Sequence, residues 1–177
     1  MAVLRAAIAV GLMLWGAAVQ AHFITIGSWK GQTAEERAII EVIAAISAND
    51  RMPATVRLLP GPREALGMVG LGGLEFAVID LEAARAAHAG SGPLAGPGTG
   101  GLRLVAVLGR HAVVSNDQVF GAMDHHLASL IHAGLDRFRR ALPDLAGIRP
   151  ADLAPADAGM PFARGAARYW REAGLLD

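Results

Sequence analysis

A short stretch near residue 30 predicts a β-strand, a glycine loop and a helix in immediate succession. The β-rich run 23–26 leads to Gly27, and a polar loop extends from there to Gly31. Thr33 and Glu36 then have the spacing of a capping box, which marks the first turn of a helix. A strand that passes through a glycine loop into a helix directs free backbone N–H groups at one point, and that point suits a carboxylate.

Apolar segments of strand length alternate with helical segments over the first two thirds of the chain. Helices are predicted at 33–48, 63–69 and 81–89, and further strands at 54–59, 74–80, 102–108 and 111–115. This alternation is typical of an α/β fold with three layers. It predicts a mostly parallel sheet of about five strands.

The last third of the chain has a different pattern. One long helix is predicted within 117–142, from Gln118 to about Leu142, and a Pro-rich strap followed by a short helix fills 143–177. The inner face of the long helix is an apolar stripe at helical spacing, formed by Phe120, Met123, Leu127, Ile131, Leu135, Phe138 and Leu142. These parts complete a single predicted lobe over 22–177, whose core is 22–116.

The N-terminus has the pattern of a secretory signal peptide. Met1 to Arg5 is a short basic start, Ala6 to Ala18 is apolar, and Val19-Gln20-Ala21 fits the small-residue cleavage pattern. Cleavage after Ala21 is therefore expected, and the mature chain would begin at residue 22. The chain contains no cysteine, and export without disulfides suits a bacterial periplasm.

The charge of the chain argues against a nucleic-acid partner. Without Arg5, the expected mature chain has 15 basic and 16 acidic residues and no basic stripe. The absence of cysteine also excludes thiolate chemistry.

Polar residues collect where the predicted strands end. The glycine loop, Asp80 and the turn at 109–111 all lie at the carboxyl edge of the predicted sheet, where α/β proteins bind ligands. The predicted ligand-binding residues are Gly27, Ser28, Trp29, Lys30, Gly31, Thr33, Asp80, Arg110 and His111. Trp29 has two interpretations, because it either stacks on a ligand or covers the edge of the sheet. Arg110 and His111 are either carboxylate contacts or ordinary surface residues.

Two alternatives, a metal site and a hydrolase, have little support. His125, His132 and Asp136 share a helix face, but 125 and 132 are about 10 Å apart at 1.5 Å per residue, too far for one metal ion. Ser28, His111 and Asp80 are all near strand ends, but no Gly-x-Ser-x-Gly motif surrounds the serine. The sequence therefore predicts neither an enzyme nor a metal or cofactor.

Five segments, in the same order, resemble those of one protein family. They are Ile-Thr-Ile-Gly-Ser at 24–28, Gly-Leu-Glu-Phe-Ala-Val-Ile at 73–79, Ala-Gly-Ser-Gly-Pro-Leu-Ala-Gly at 89–96, Leu-Arg-Leu-Val-Ala-Val-Leu at 102–108, and Pro-Phe-Ala-Arg-Gly-Ala-Ala-Arg-Tyr-Trp at 161–170. The chain thereby resembles the TAXI-type solute receptors, which are the periplasmic binding proteins of TRAP transporters. The resemblance implies a periplasmic-binding-protein-like fold, no catalysis, and TRAP membrane subunits as partners.

The chain also departs from this family. Family members have two lobes that close on a ligand between them, whereas here the first lobe extends to about Asn116 and continues directly into what resembles the returning helix. The loop differs too, with Trp29-Lys30-Gly31 where the family carries Gly-, Thr- and Tyr-rich sequence. The leading hypothesis is a single-lobe, receptor-like protein that binds a small carboxylate or amino acid.

Two other hypotheses remain open. In the first, the protein is a secreted interaction module, and the surface that faced the second lobe now contacts another protein or a second copy of the chain. In the second, the chain folds but has lost its function. A one-walled cleft buries less of a ligand than a closed site does, which keeps the first of these in consideration.

Overall fold

A computed structural model describes residues 23–50 and 52–177 of the chain. The predicted signal peptide at 1–21 lies outside these residues, so its cleavage stays a prediction. The described residues form one α/β lobe in which a five-stranded sheet stands between two layers of helices, as the sequence predicts. None of the described helices is both long enough and apolar enough to span a bilayer.

The sheet is mixed but mostly parallel. Its strands are β1 (Ile24–Trp29), β2 (Ala54–Leu59), β3 (Phe76–Asp80), β4 (Leu102–Leu108) and β5 (His111–Asn116), in the spatial order β2-β1-β3-β5-β4. β1 is parallel to β2 and β3, whereas β5 is antiparallel to both of its neighbours, β3 and β4. The first four strands therefore end at one edge, which we call the carboxyl edge. β5 begins at that edge and ends at the opposite one, the amino edge.

Helices cover both faces of the sheet. They are α1 (Ala34–Ala48), α2 (Pro62–Gly70), α3 (Leu81–His88), α4 (Gly121–Ala133), α5 (Leu135–Ala141) and α6 (Arg164–Glu172). α2 and α3 pack on one face, and α1, α4, α5 and α6 pack on the other. Short 3₁₀ turns at Thr99–Gly101, Pro143–Leu145 and Pro150–Leu153 lie in the connections.

A tight turn sets the direction of β5. Only Gly109 and Arg110 separate β4 from β5, and Gly109 has φ 63°, in the left-handed region where glycine is favoured. A two-residue connection joins antiparallel strands, because a parallel pair needs a long crossover. The single antiparallel strand follows from this turn.

The outer edge of β4 is covered by the chain that precedes α6. The Leu104 N–H donates to the Pro161 carbonyl at 2.9 Å, and the Ala163 N–H donates to the Leu104 carbonyl at 2.8 Å. Trp170 is fully buried, and its indole N–H donates to the Val105 carbonyl at 2.8 Å. These contacts explain how a strand at the end of the sheet can be apolar on both faces.

The prediction of one long helix over 118–142 is wrong, because the chain forms two helices that meet at Gly134. A Cβ at this position would lie 2.9 Å from the Leu130 carbonyl oxygen and 3.2 Å from Cγ2 of Ile46 on α1. Glycine therefore allows the turn to pack closely on α1. Leu135 and Phe138 still enter the core, which is why the apolar stripe looked continuous.

The start of the predicted helix is also different. α4 begins only at Gly121, and Phe120 occupies its N-cap position. The Phe120 side chain is 73% exposed, so its assignment to the inner stripe is wrong. The helical spacing was correct for Leu127 and Ile131, which are fully buried.

Candidate functional site

The predicted strand-end residues lie at the carboxyl edge of the sheet. β1 ends at Trp29 and β3 at Asp80, and His111 is directly opposite Asp80 in the antiparallel ladder. Arg110 places its Nη2 atom 3.0 Å from Asp80 Oδ2. Arg110 and Asp80 therefore form an ion pair at this edge.

Asp80 has further internal partners. Its Oδ1 accepts a hydrogen bond from the Ala83 N–H at 3.1 Å and thereby caps α3. Partial burial acts to raise the pKa of Asp80, but the hydrogen bonds from Ala83 and Arg110 outweigh it and the pKa is lowered. This ionised carboxylate neutralises Arg110, and an arriving carboxylate would have to compete with it.

The glycine loop is shorter than the sequence predicts. β1 continues through Gly27 and Ser28 to Trp29, so the prediction that a polar loop begins at Gly27 is wrong. A Cβ on Gly27 would lie 2.6 Å from Cδ2 of Leu74, which shows that this glycine serves close packing. Trp29 is 6% exposed and packs in the core on the α2–α3 face. Trp29 is therefore a packed core residue at the end of β1, and little of its ring is free to stack on a ligand.

The polar residues after β1 bond to one another. The Ser28 hydroxyl donates to Gln32 Oε1 at 2.7 Å, and the buried Gln32 amide donates to the Val78 carbonyl at 3.2 Å. Thr33 and Glu36 form the predicted capping box, with hydrogen bonds of 3.1 and 2.9 Å. These contacts fix the loop against β3 and cap the N-terminus of α1.

Lys30 and Gly31 are the exposed members of the predicted loop. A small cavity of about 100 Å³ also opens at this edge, lined by Glu35, Gly109, Arg110, His111, Leu142, Asp144 and Leu145. Two of these residues, Glu35 and Asp144, are acidic. Binding of a carboxylate at this edge stays a prediction, and the charges around the cavity do not favour it.

His111 is buried at this edge without a hydrogen bond to its Nδ1 atom from any described residue. Burial lowers the pKa of His111; Glu36 and Asp80 oppose this shift, and Arg110 adds to it. The imidazole is therefore neutral at pH 7.

Each histidine of α4 contacts a different polar side chain. His125 Nε2 lies 2.7 Å from Glu172 Oε2, His126 Nε2 lies 2.6 Å from Asp50 Oδ2, and His132 Nδ1 lies 2.8 Å from the Tyr169 hydroxyl. Among the described residues no group of three His, Cys, Asp or Glu side chains is arranged to hold a metal ion.

A larger polar cavity lies at the amino edge, where β5 passes into α4. Its volume is about 430 Å³, within the range of small-molecule sites. We call it the α4–α6 cavity, and its lining residues are Asp117, Val119, Gly121, Asp124, Arg164, Gly165 and Arg168. It adjoins Asn116, the position at which the resemblance to the TAXI-type receptors would put their second lobe. That position and the predicted loop are thus at opposite edges of the sheet.

Two helix N-termini meet at this cavity. α4 begins at Gly121 and α6 at Arg164, and neither helix has a side-chain cap. A Cβ on Gly165 would lie only 1.9 Å from the Gly121 carbonyl oxygen, so the two first turns are in close contact. Uncapped first turns leave backbone N–H groups and the positive ends of two helix dipoles near the cavity.

Both signs of charge line the cavity. Arg164 and Arg168 are exposed at its wall, and Arg164 Nη2 donates to the Asp117 carbonyl at 3.2 Å. Asp117 pairs with Arg103 at 2.8 Å, so this carboxylate is already neutralised. Asp124 is 1% exposed, and the Ser115 hydroxyl donates to its Oδ1 at 2.7 Å.

The sequence reasoning missed this cavity. Its charged residues come from two segments about 40 residues apart, and only the packing of α6 against α4 brings them together. One signal was present: Asp124 adjoins Met123 and precedes Leu127 by three positions, so an acidic residue borders the apolar stripe. A buried carboxyl in such a place usually has a structural or chemical purpose.

Comparisons with known proteins assign no family to this chain. No protein-family model matches it, and no curated protein matches it.

Proposed function

We propose that this chain is a non-catalytic binding protein that holds a small carboxylate or amino acid in the α4–α6 cavity. One observation carries the proposal: the side chains of Arg164 and Arg168 and the uncapped N-termini of α4 and α6 line the same cavity of about 430 Å³. Guanidinium groups and helix N-termini are the groups that proteins use to bind carboxylates.

The sequence resemblance supports the same class of function. A single α/β lobe and five segments in the order of the TAXI-type receptors agree with descent from a solute receptor of a TRAP-type transport system. The proposal places the protein in the periplasm after cleavage at Ala21, with TRAP membrane subunits as its partners. It moves the ligand away from the Gly27–Thr33 loop because Arg110 at that edge is already paired with Asp80.

Isothermal titration calorimetry tests the proposal. The titrants are lactate, succinate and glycine, a monocarboxylate, a dicarboxylate and an amino acid, at concentrations well above the ~1 mM dissociation constant expected of an open site. A hydrogen bond to a charged group contributes about 1.5–3 kcal/mol, so Arg164→Gln and Arg168→Gln should each weaken binding about tenfold or more.

Arg171→Gln is the matched control, because Arg171 is on the same helix and donates to the Asp177 carbonyl at 3.0 Å. The affinity of Arg171→Gln for a titrant that binds should equal that of the unmodified protein. A flat response to all three titrants, or equal losses in all three arginine variants, would reject the α4–α6 cavity as a carboxylate site.

A second candidate function is self-association as an interaction module, and exposed apolar surface at the amino edge favours it. Phe120 is 73% exposed beside an apolar groove of about 310 Å³ lined by Met52, Phe120, Ala122, Met123 and His126. A surface that carries a projecting aromatic side chain beside an apolar groove is self-complementary. Two copies related by a twofold axis would each place Phe120 in the groove of the other.

Size-exclusion chromatography with light scattering distinguishes this candidate from the first. A dimer that dissociates on Phe120→Ser, but persists in Leu71→Ser, would support it, since Leu71 is 61% exposed at the C-cap of α2 and lies outside the groove. A strict monomer at high micromolar concentration would exclude it.

A further inference from the structure

Asp124 is a buried carboxyl at the wall of a cavity that also contains basic groups. It is 1% exposed, and its recorded hydrogen bond comes from the neutral hydroxyl of Ser115 on β5. The described residues give Asp124 no ion pair. Arg164 donates to the Asp117 carbonyl, and Arg168 Nε lies 3.6 Å from Glu172 Oε1. A charge in this position is therefore poorly compensated.

The charged neighbours of Asp124 come from each element packed around it. Asp117 lies in the connection after β5, Arg164 and Arg168 are on α6, and His125 on α4 is paired with Glu172. Burial raises the pKa of Asp124 to about 7, the Ser115 hydrogen bond opposes this shift, and Asp117 adds to it. Near neutral pH the carboxyl therefore exists in both protonation states.

We propose that an anion enters the α4–α6 cavity together with one proton, which Asp124 takes from the solvent. This inference rests on the proposed function, because it concerns the same cavity. An ionised Asp124 would repel a carboxylate held between the two arginines, whereas the protonated carboxyl is neutral and can donate its O–H. The ligand carboxylate thus stabilises the protonated form, and the protonated form strengthens binding by the same factor.

The linkage gives a direction for the pH dependence. Below the titration range Asp124 is already protonated, so binding takes up no proton and the affinity is constant. Above it, each bound anion takes up nearly one proton, and the affinity falls by up to about tenfold per pH unit. The affinity therefore declines between pH 6 and pH 8.5.

Calorimetry with lactate measures this uptake directly, since lactate is ionised throughout the range. Titrations at pH 5.5 and 8 are repeated in buffers with different ionisation enthalpies, and the dependence of the heat on the buffer gives the number of protons bound. We expect close to zero protons at pH 5.5 and close to one at pH 8. Asp124→Asn should bind lactate with no uptake and with an affinity that is independent of pH.

Asp136→Asn is the matched control, because its carboxylate is 73% exposed, pairs with Arg139 and lies outside the cavity. This variant should keep the proton uptake of the unmodified protein. Lactate binding without proton uptake at pH 8, or proton uptake that persists in Asp124→Asn, would overturn the inference. Either result would leave the proposed function intact. If lactate binds at neither pH, the cavity does not hold this carboxylate and both proposals fail for it.

Discussion

The carbonyl oxygen of Gly121 occupies the space that a side chain on Gly165 would need. A Cβ built on Gly165 would lie 1.9 Å from this oxygen and 2.9 Å from Cβ of Asp124. α4 and α6 can therefore approach each other at their first turns only because residue 165 has no side chain. Gly121 and Gly165 both line the α4–α6 cavity.

Gly165→Ala should separate the two helices and destabilise the fold. Forcing an extra carbon into a packed contact typically costs about 1–3 kcal/mol, and we expect a loss of unfolding free energy in this range. Urea denaturation followed by circular dichroism measures it. Gly147→Ala is the control, since a Cβ at Gly147 meets no atom within 4 Å. Equal stability of the two variants would contradict the close contact.

Asp124→Asn should change how stability depends on pH. The pKa of Asp124 is about 7 in the folded chain, and an unfolded aspartate titrates near 4, so the folded state binds more protons between these values. The unmodified protein therefore loses stability as the pH rises from about 4 to 7, by up to about 1.4 kcal/mol per unit, and the contribution levels off above 7. The asparagine variant lacks this loss.

Urea denaturation of both proteins at pH 5, 6, 7 and 8 tests this prediction. The stability of Asp124→Asn relative to the unmodified protein should increase with pH up to about 7 and then stay constant. The difference between the two unfolding free energies removes the contribution of the other titratable groups, because both proteins share them. Parallel curves would mean that Asp124 is ionised in the folded state throughout this range.

His111→Leu should stabilise the fold at acid pH. Burial lowers the pKa of His111, so below about 6.5 the unfolded histidine takes up a proton that the folded one resists, and stability is lost as the pH falls. Leucine removes this loss, and it also removes a buried Nδ1 without a hydrogen bond from the described residues. The variant should therefore gain more stability at pH 5 than at pH 8.

The same variant tests which edge of the sheet binds the carboxylate. If a carboxylate binds in the α4–α6 cavity, lactate affinity should not change in His111→Leu, because His111 is at the carboxyl edge. A loss of lactate binding without a loss of stability would return the site to the residues around Asp80 and Arg110.

Local signals in the sequence predicted the local structure well. Thr33 and Glu36 make the capping box that their spacing indicates, and β4 has the predicted bounds Leu102–Leu108 because a run of branched apolar residues fits a strand buried on both faces. The order of strands and helices followed from such signals. It was enough to establish a three-layer α/β lobe with a mostly parallel sheet.

Tertiary contacts decided what the sequence pattern did not. The predicted long helix is divided at Gly134, where the chain passes close to Ile46 on α1, a contact that no periodicity reveals. Gly27 looked like a loop residue, but its small size serves packing against Leu74 within β1. The α4–α6 cavity depends on the meeting of two distant segments, so only coordinates bring Asp124 and Arg168 to one place.

The contact between Trp170 and Val105 has a consequence for how the chain is made. The indole closes one side of the core over β4, and residues 161–163 cover the outer edge of the same strand. A nascent chain that has not yet reached residue 161 therefore leaves the outer edge of β4 uncovered. The cover of this strand is therefore complete only when the last helix has been synthesised.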